Sequence, residues 1–266
     1  MPDHYFGVGY DNGENVEKSD STTFYQRFWW QLDLRWVKRI IPRFFAGVRL
    51  DVNRTNATEV NSQMMNDPHF MAFGLNNKNS GIGMVVQWDS RDLAINAYSR
   101  IFLNMMATFY GQFLRGQNNY NMFELDYRHY KSMGRPGETL TWQVRTVYST
   151  GDVPWAEFPK LGTPFDLRGY RFGQYRDGTI LFGLVEYRHL FMHRKPDKKG
   201  SMQSRHGFVT WVGTGSLATS YAEMKNWLPN VGVGYRFEVQ NRMNARLDFG
   251  VGAQTTGFYV SFNEVF

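Results

Sequence analysis

The chain has 266 residues, a mean hydropathy of −0.49 and no apolar run near the roughly 20 residues that a membrane-spanning helix needs. It lacks cysteine, which excludes disulfides and thiolate metal sites. The net charge of +6 comes from basic residues scattered singly among acidic ones, so no nucleic acid partner is expected. Aromatic residues make up 17% of the chain, which favours a membrane β-barrel whose wet lumen lowers the mean hydropathy.

Alternation of apolar and polar residues recurs along the chain and predicts about twelve β-strands. In the first long segment, Trp30 and Trp36 share one parity, and Arg27 and Asp33 share the other. A helix would place Arg27 and Trp30 on the same face, whereas a strand separates them. The predicted strands lie near residues 5–12, 22–38, 43–56, 81–92, 99–113, 119–132, 138–150, 178–192, 206–217, 229–240, 244–255 and 257–266.

The charges on the polar parity distinguish two all-β architectures. A soluble β-sandwich also alternates, but its charged face meets bulk water, where ion pairs contribute little. A barrel fills its lumen with complementary charges and turns an aromatic-rich face to lipid. Nearly every strand here carries both charge signs on one parity and aromatics on the other. We therefore predict a single transmembrane antiparallel β-barrel domain over residues 1–266, surrounded by lipid in the bacterial outer membrane.

The predicted connections are of two kinds, and the chain closes on an aromatic residue. Short turns are expected at 41–42 and 240–242, and the long segments 57–80, 151–177 and 218–228 are expected on the outer side. The terminal phenylalanine resembles the assembly signal of outer-membrane barrels, although Glu264 interrupts the apolar parity. The predicted closing-strand signal consists of Gly257, Phe258, Val260, Phe262 and Phe266.

Several short motifs follow one another in a fixed order. A strand ends in Trp88-Asp89-Ser90-Arg91-Asp92, and Leu167-Arg168-Gly169-Tyr170 precedes the strand segment 183–188. Three glycine-rich strand segments follow at 230–236, 246–250 and 257–262. Together these motifs resemble the surface-antigen barrels of the BamA/TamA outer-membrane assembly superfamily, closely over residues 81–266 and loosely over residues 1–80.

The resemblance implies a loop that folds back into the lumen through Arg168, Gly169 and Tyr170. In that family the loop arginine reaches acidic residues on neighbouring strands, and Glu186 matches one of them. The second acid usually lies in an aromatic-x-Asp-x-Gly run, where this chain has Gly213. One acidic anchor is therefore expected.

The resemblance also implies sixteen strands and separate periplasmic docking domains, and the sequence predicts neither. The twelve predicted strands correspond to the last twelve of a family barrel, and no docking domain is expected within residues 1–266. The chain is then a naturally short relative, a truncated or re-engineered barrel, or a barrel with further strands hidden in 57–80.

No catalytic, metal or cofactor site is predicted, so the chain is not expected to be an enzyme. His189 and His193 share a strand face but lie about 13 Å apart at the rise of an extended strand, too far to share one zinc. Asp89, Arg91 and Asp92 are interpreted as a salt-bridged turn motif rather than as catalytic carboxylates.

The leading functional hypothesis is an assembly or insertase-type barrel, or a subunit of such a machine. Its partners would be client outer-membrane proteins or accessory subunits. The alternatives are a passive porin-like channel, in which the 151–177 loop plugs a narrow lumen, and a structural barrel that anchors partner proteins.

Overall fold

In the computed structural model the chain is all-β, and the structure describes residues 2–17, 22–135, 137–193 and 203–266. The strands are β1 (Pro2–His4), β2 (Phe24–Ile41), β3 (Phe44–Thr58), β4 (Asn76–Asp89), β5 (Arg100–Tyr110), β6 (Tyr120–Ser132), β7 (Glu138–Gly151), β8 (Lys160–Leu161), β9 (Tyr175–Arg176), β10 (Thr179–Met192), β11 (Gln203–Ala218), β12 (Leu228–Gln240), β13 (Met243–Val251) and β14 (Thr256–Phe262). The α-helices are α1 (Tyr10–Asn15), α2 (Ser62–Asn66) and α3 (Pro68–Phe73), and 3₁₀ turns occupy Phe113–Arg115 and Tyr221–Glu223. No helix in these ranges is long and apolar enough to cross a membrane.

Twelve of the strands form one sheet in which every neighbouring pair is antiparallel. The order is β1-β2-β3-β4-β5-β6-β7-β10-β11-β12-β13-β14, and β8 and β9 pair separately. The predicted all-β antiparallel architecture is thereby confirmed. The sheet is not closed, however, because no pairing among the described residues joins β14 to β1 or β2.

The opening has one long edge and one short edge. β1 pairs with β2 only at residues 24–26. Over residues 28–41 the other side of β2 has no strand partner in the part of the chain that the structure describes. The opposite edge is β14, which pairs only with β13. Because β2 has 18 residues and β14 has seven, most of the unpaired backbone belongs to β2.

The two faces of the sheet have the chemistry that the alternation predicts. Apolar side chains such as Trp36 and Val260 are exposed on the outward face. The inward face buries charged and polar side chains, among them Arg49, Asp51 and Glu186. Neighbouring strands keep these faces in register, since Arg49 lies opposite Gly83 and Val48 lies opposite Met84.

The connections at 59–75 and 152–178, which are both long, lie at one end of the sheet, which we call the long-loop end. Antiparallel pairing places 59–75, 111–119, 152–178, 219–227 and 252–255 there, and the connections at 42–43, 90–99 and 241–242 at the other end. Within the long-loop end, Trp155 packs against Tyr5, Tyr25 and Phe70 at ring-centroid distances of 5.4–5.8 Å. The 152–178 connection, hereafter the inner loop, is thereby fixed to the N-terminal segment and to α3.

The predicted strand over residues 5–12 is wrong, whereas the predicted connection over residues 57–80 contains two helices. Residues 5–12 do not form a strand, because Gly7 and Gly9 adopt φ values of 99° and 98° and the chain then enters α1. The 57–80 segment contains α2 and α3 before β4 begins at Asn76. The helices start there because Asn61 and Asp67 cap them, the latter accepting hydrogen bonds from two backbone N–H groups just before Pro68 blocks strand pairing.

The last predicted strand also ends early. Phe258, Val260 and Phe262 lie on the outward face, but Phe266 is 5% exposed and packs inside beside Tyr130. The chain turns inward because Asn263 adopts φ 66°, after which the Glu264 carboxylate meets buried cations. The expectation that Phe266 shares the outward parity of the closing strand is therefore wrong.

Candidate functional site on the inner face of the sheet

The inner loop places the guanidinium of Arg168 between two carboxylates. Arg168 Nη2 lies 2.6 Å from Glu186 Oε2 on β10, and Nη1 lies 2.8 Å from Asp248 Oδ2 on β13. All three side chains are fully buried. The guanidinium also stacks over the indole of Trp211 on β11, with Cζ 3.4 Å from the ring centroid. The loop is thus fixed to three strands through one side chain.

The second acidic anchor is Asp248 rather than a residue near Gly213. Gly213 lies on β11, as the motif comparison placed it, and provides no carboxylate. Asp248 faces inward two residues before Gly250 on the next strand but one in the sheet. The alternation alone identifies Asp248 as inward-facing, but Asp33 and Asp51 share that property, so the sequence could not single it out.

Gly169 occupies a position that only glycine fits. Its φ is 115°, which L side chains rarely adopt, and a Cβ there would lie 2.9 Å from the Gly250 carbonyl oxygen. The backbone N–H of Gly169 donates to Tyr259 Oη on β14 at 2.8 Å, and Thr255 Oγ1 donates to its carbonyl. The loop tip therefore lies directly on β13 and contacts β14.

Tyr170 adds two further hydrogen bonds at the long-loop end. Its hydroxyl donates to the Pro229 carbonyl at 2.7 Å and accepts from the Ala253 N–H at 3.0 Å. The Asn230 side chain donates to the Arg168 carbonyl and accepts from Trp211 Nε1 at 2.8 Å. The motif Arg168-Gly169-Tyr170 thus contacts every strand from β10 to β14 or its immediate connection.

Arg168 belongs to a buried cluster, which we call the arginine cluster. Arg188 Nε lies 2.7 Å from Glu186 Oε1, and Arg236 Nε lies 3.0 Å from Glu264 Oε2. Four guanidinium groups face three carboxylates, so each acid is shared by at least two cations. The members are Arg168, Arg188, Arg236, Arg246, Glu186, Asp248 and Glu264. Because an unpaired buried charge costs several kcal/mol, these groups must be assembled together.

The turn motif lies at the end of the sheet opposite the long-loop end, and the connection that carries it borders the arginine cluster. Arg91 Nη2 lies 2.8 Å from Asp89 Oδ2, within the connection between β4 and β5. Asp92 accepts from the Tyr98 N–H at 2.9 Å and lies 2.7 Å from Arg242 Nη1 in the β12–β13 turn. The motif therefore joins two distant turns through Arg242, a partner that the sequence did not identify.

A cavity of about 700 Å³ lies beside the inner loop, bordered by β2, β6, β7 and β10. Among its lining residues are Arg27, Glu124 and Arg145, with Glu157 and Lys160 of the inner loop. Burial raises the pKa of Glu157 to about 7. Burial, followed by the charges of Arg176 and Arg27, lowers the pKa of Lys160 to about 7. This loop pair therefore titrates near neutral pH.

The described residues contain no group of three or more His, Asp or Glu side chains arranged to hold a metal ion. Near the end of β10, His189 Nδ1 instead lies 4.0 Å from Glu138 Oε1, and the His189 ring contacts the rings of Tyr187 and Phe208. The chemistry that this inner face supports is the positioning of a loop by buried ion pairs.

Comparison with known proteins relates this arrangement to a family. Residues 46–240 match the Omp85 superfamily domain. The fold is similar to that in the crystal structure of BamA from Haemophilus ducreyi lacking POTRA domains 1–3, with a TM-score of 0.65 and 9% identity. That similarity covers 90% of this chain and 54% of the BamA chain, so the present chain spans about half the length of its structural relative. No protein of curated function matches the sequence.

We predict that Arg168→Ala lowers the free energy of unfolding by about 3 kcal/mol, at the lower end of the range for breaking a buried ion pair. We expect a loss at the lower end of this range because three arginines still neutralise the three carboxylates of the cluster. The measurement is urea unfolding of the detergent-refolded protein. Arg35→Ala, which removes a half-exposed pair with Asp33, is the matched control and is expected to cost less than about 1 kcal/mol. Equal losses in both variants would contradict a special role for Arg168.

We predict that Gly169→Ala destabilises the docked loop by about 2 kcal/mol. Alanine would be strained at the φ of residue 169, and its Cβ would lie too close to the Gly250 carbonyl of β13. Limited proteolysis within 152–178 should become several-fold faster. Gly183→Ala is the control, since a Cβ at Gly183 finds its nearest neighbour 3.9 Å away. Unchanged protease resistance in Gly169→Ala would show that the loop tip does not need the close approach.

We predict that Glu157→Gln becomes more stable relative to the wild type as the pH rises from 5 to 8. A carboxyl whose folded pKa is raised above its unfolded value opposes folding progressively above the unfolded pKa, up to about pH 7. The neutral amide removes that loss. Thermal unfolding midpoints across this pH range provide the measurement, and parallel curves would exclude a raised pKa at Glu157.

Proposed function

The chain belongs to the Omp85 superfamily, and we propose that it acts in the bacterial outer membrane as a β-barrel of the assembly or insertase type. In this proposal the free edge of β2 receives strands of client outer-membrane proteins. The observation that carries the proposal is the unpaired backbone of residues 28–41, which faces the opening of the sheet.

The division of the two faces supports insertion into a membrane. On β2, a row of exposed apolar side chains points outward: Phe28, Trp30, Leu32, Leu34 and Trp36. The inward face holds the arginine cluster and further ion pairs, such as Arg49 with Asp33 and Asp51. Several strands exceed the 9–11 residues or so that a tilted spanning strand needs. Lipid is therefore the expected surrounding of the outward face.

A bare strand edge in that surrounding requires a partner. Unsatisfied N–H and C=O groups each cost several kcal/mol in hydrocarbon, so the β2 edge favours pairing with any added strand. An entering strand that alternates apolar and charged residues would extend both the apolar row and the charged inward face. This is the pattern of an outer-membrane barrel strand, and strand addition is a general mode of peptide recognition.

The inner loop makes the two edges unequal. Arg168, Gly169 and Tyr170 fix the strands from β10 to β14 to one another, whereas none of these contacts reaches β2. The C-terminal half of the sheet is therefore held rigid while the β2 edge remains available. Accessory subunits that bring clients to the β2 edge are part of the same proposal.

A second candidate is a passive porin-like channel, favoured by the charged cavity beside the inner loop. It predicts steady conductance in planar bilayers that rises when the inner loop is loosened by Arg168→Ala. A structural barrel that anchors partners predicts neither conductance nor client pairing. The assembly proposal predicts client pairing with little steady current.

The decisive experiment places a photo-crosslinking amino acid at position 34, on the free edge of β2, and at position 144, on β7, whose two sides are both paired. Both residues, Leu34 and Val144, are exposed on the outward face. The protein is reconstituted in liposomes and given an unfolded outer-membrane barrel protein as client. We predict at least fivefold more client crosslinking at position 34. Equal crosslinking at the two positions would exclude the β2 edge as the client site.

A further inference from the structure

A groove crosses the outward face of β4, β5, β6 and β7. Its volume is about 490 Å³, and its lining is almost entirely apolar. Met84 lies opposite Ala107, and Ala107 lies opposite Phe123, so one small side chain sits between two large ones. This difference in size produces the depression. The other main lining residues are Val86, Met105, Leu125 and Thr146.

Four aromatic rings form a wall along the groove toward the long-loop end. Phe109 packs edge-on against Phe123 at a centroid distance of 6.1 Å. Phe123 stacks with Tyr148 at 6.3 Å, and Tyr148 stacks with Tyr221 at 5.6 Å. The wall therefore runs continuously from β5 across β6 and β7 to the β11–β12 connection.

The last ring of the wall, Tyr221, comes from a segment that is distant in the sequence. Tyr221 belongs to the β11–β12 connection and must cross β10 to reach β7. Its hydroxyl is 2.7 Å from Thr146 Oγ1, which also donates to the Ile180 carbonyl at 2.7 Å. The inner loop folds into the interior of the sheet, whereas this connection folds over the outward face. The groove is thus assembled by a tertiary contact rather than by one strand pair.

The chemistry of the groove excludes a polar occupant. Glu124 is its one acidic or basic lining residue, and the Glu124 carboxylate is paired with Arg145 and Arg49. The hydroxyls of Thr146 and Tyr221 are engaged with each other. A ligand would find no unengaged charge in the lining, so burial of apolar surface must supply the binding energy.

The size and depth of the groove define the occupant further. A methylene group occupies about the volume of a water molecule, roughly 30 Å³, so the groove has room for a chain of several methylenes. Thr146 lies five residues before the end of β7, roughly 12 Å below the rim for a strand tilted by about 45°. That depth lies within hydrocarbon rather than among head groups. Both estimates correspond to a single acyl chain.

We propose that this groove is a binding site for one acyl chain of a lipid in the leaflet at the long-loop end, held beneath the wall of Phe109, Phe123, Tyr148 and Tyr221. The proposal rests on the membrane insertion proposed above. Because the aromatic wall borders the groove, the bound chain should exchange more slowly than the bulk lipid does.

The test uses the full chain in nanodiscs that contain phosphatidylglycerol with a diazirine near the middle of one acyl chain. After illumination, labelled peptides are identified by mass spectrometry. We expect residues 105–125 to carry at least threefold more label per outward-facing residue than residues 231–251. Ala107→Phe, which fills the groove, should reduce this excess to the level of β12 and β13, whereas the control Val231→Phe should retain it.

The remaining outcomes separate this proposal from membrane insertion itself. Uniform labelling around the outward face would overturn the groove but leave insertion intact, whereas an absence of label everywhere would overturn both. If Ala107→Phe does not fold, Tyr221→Ala removes the last ring of the wall without filling space and should also abolish the excess. An excess that persists in a folded groove variant would overturn the proposal.

Discussion

The pairing of Arg168 with Glu186 and Asp248 is the interaction on which the arrangement of the C-terminal half depends. A guanidinium with no exposed surface can be held only where carboxylates replace its lost hydration, and two strands provide them. Once this charge is placed, Gly169 must lie against Gly250, and the loop backbone then reaches Tyr259 on β14. One ion-pair system thereby determines both the path of the inner loop and the spacing of the strands beneath it.

The arginine cluster extends this constraint to the end of the described chain. Glu264 is drawn inward because it neutralises Arg236 and lies 3.7 Å from Arg188, and Phe266 follows it into the interior. The outward row of β14 therefore stops at Phe262. Excess positive charge inside the sheet thus explains why Phe266 is buried, although the alternation of β14 predicts that it faces outward.

The N-terminal segment bridges the two edges of the sheet at the long-loop end. The N-terminal segment starts at β1 beside β2, and its Glu14 accepts hydrogen bonds from Tyr175 of the inner loop and Gln254 of the β13–β14 connection. Between β14 and residues 28–41 of β2, no strand pairing completes the sheet within the described residues. The proposed client edge follows from the unpaired backbone of β2. The proposed lipid groove follows from the depression in the apolar outward face at β4–β7.

The sequence by itself determined the strands and the chemistry of their two faces, because alternation with period two is a local property. It placed β3, β6, β7 and β10–β12 within a few residues, and it assigned Arg168 and Glu186 to one loop system through the family resemblance. Only the tertiary structure decided that Asp248 is the second anchor, that Phe266 turns inward, that residues 5–12 leave the strand pattern and that β2 remains an open edge. Each of these depends on contacts between residues far apart in the chain. The free energies of such contacts cannot be inferred from a local sequence pattern.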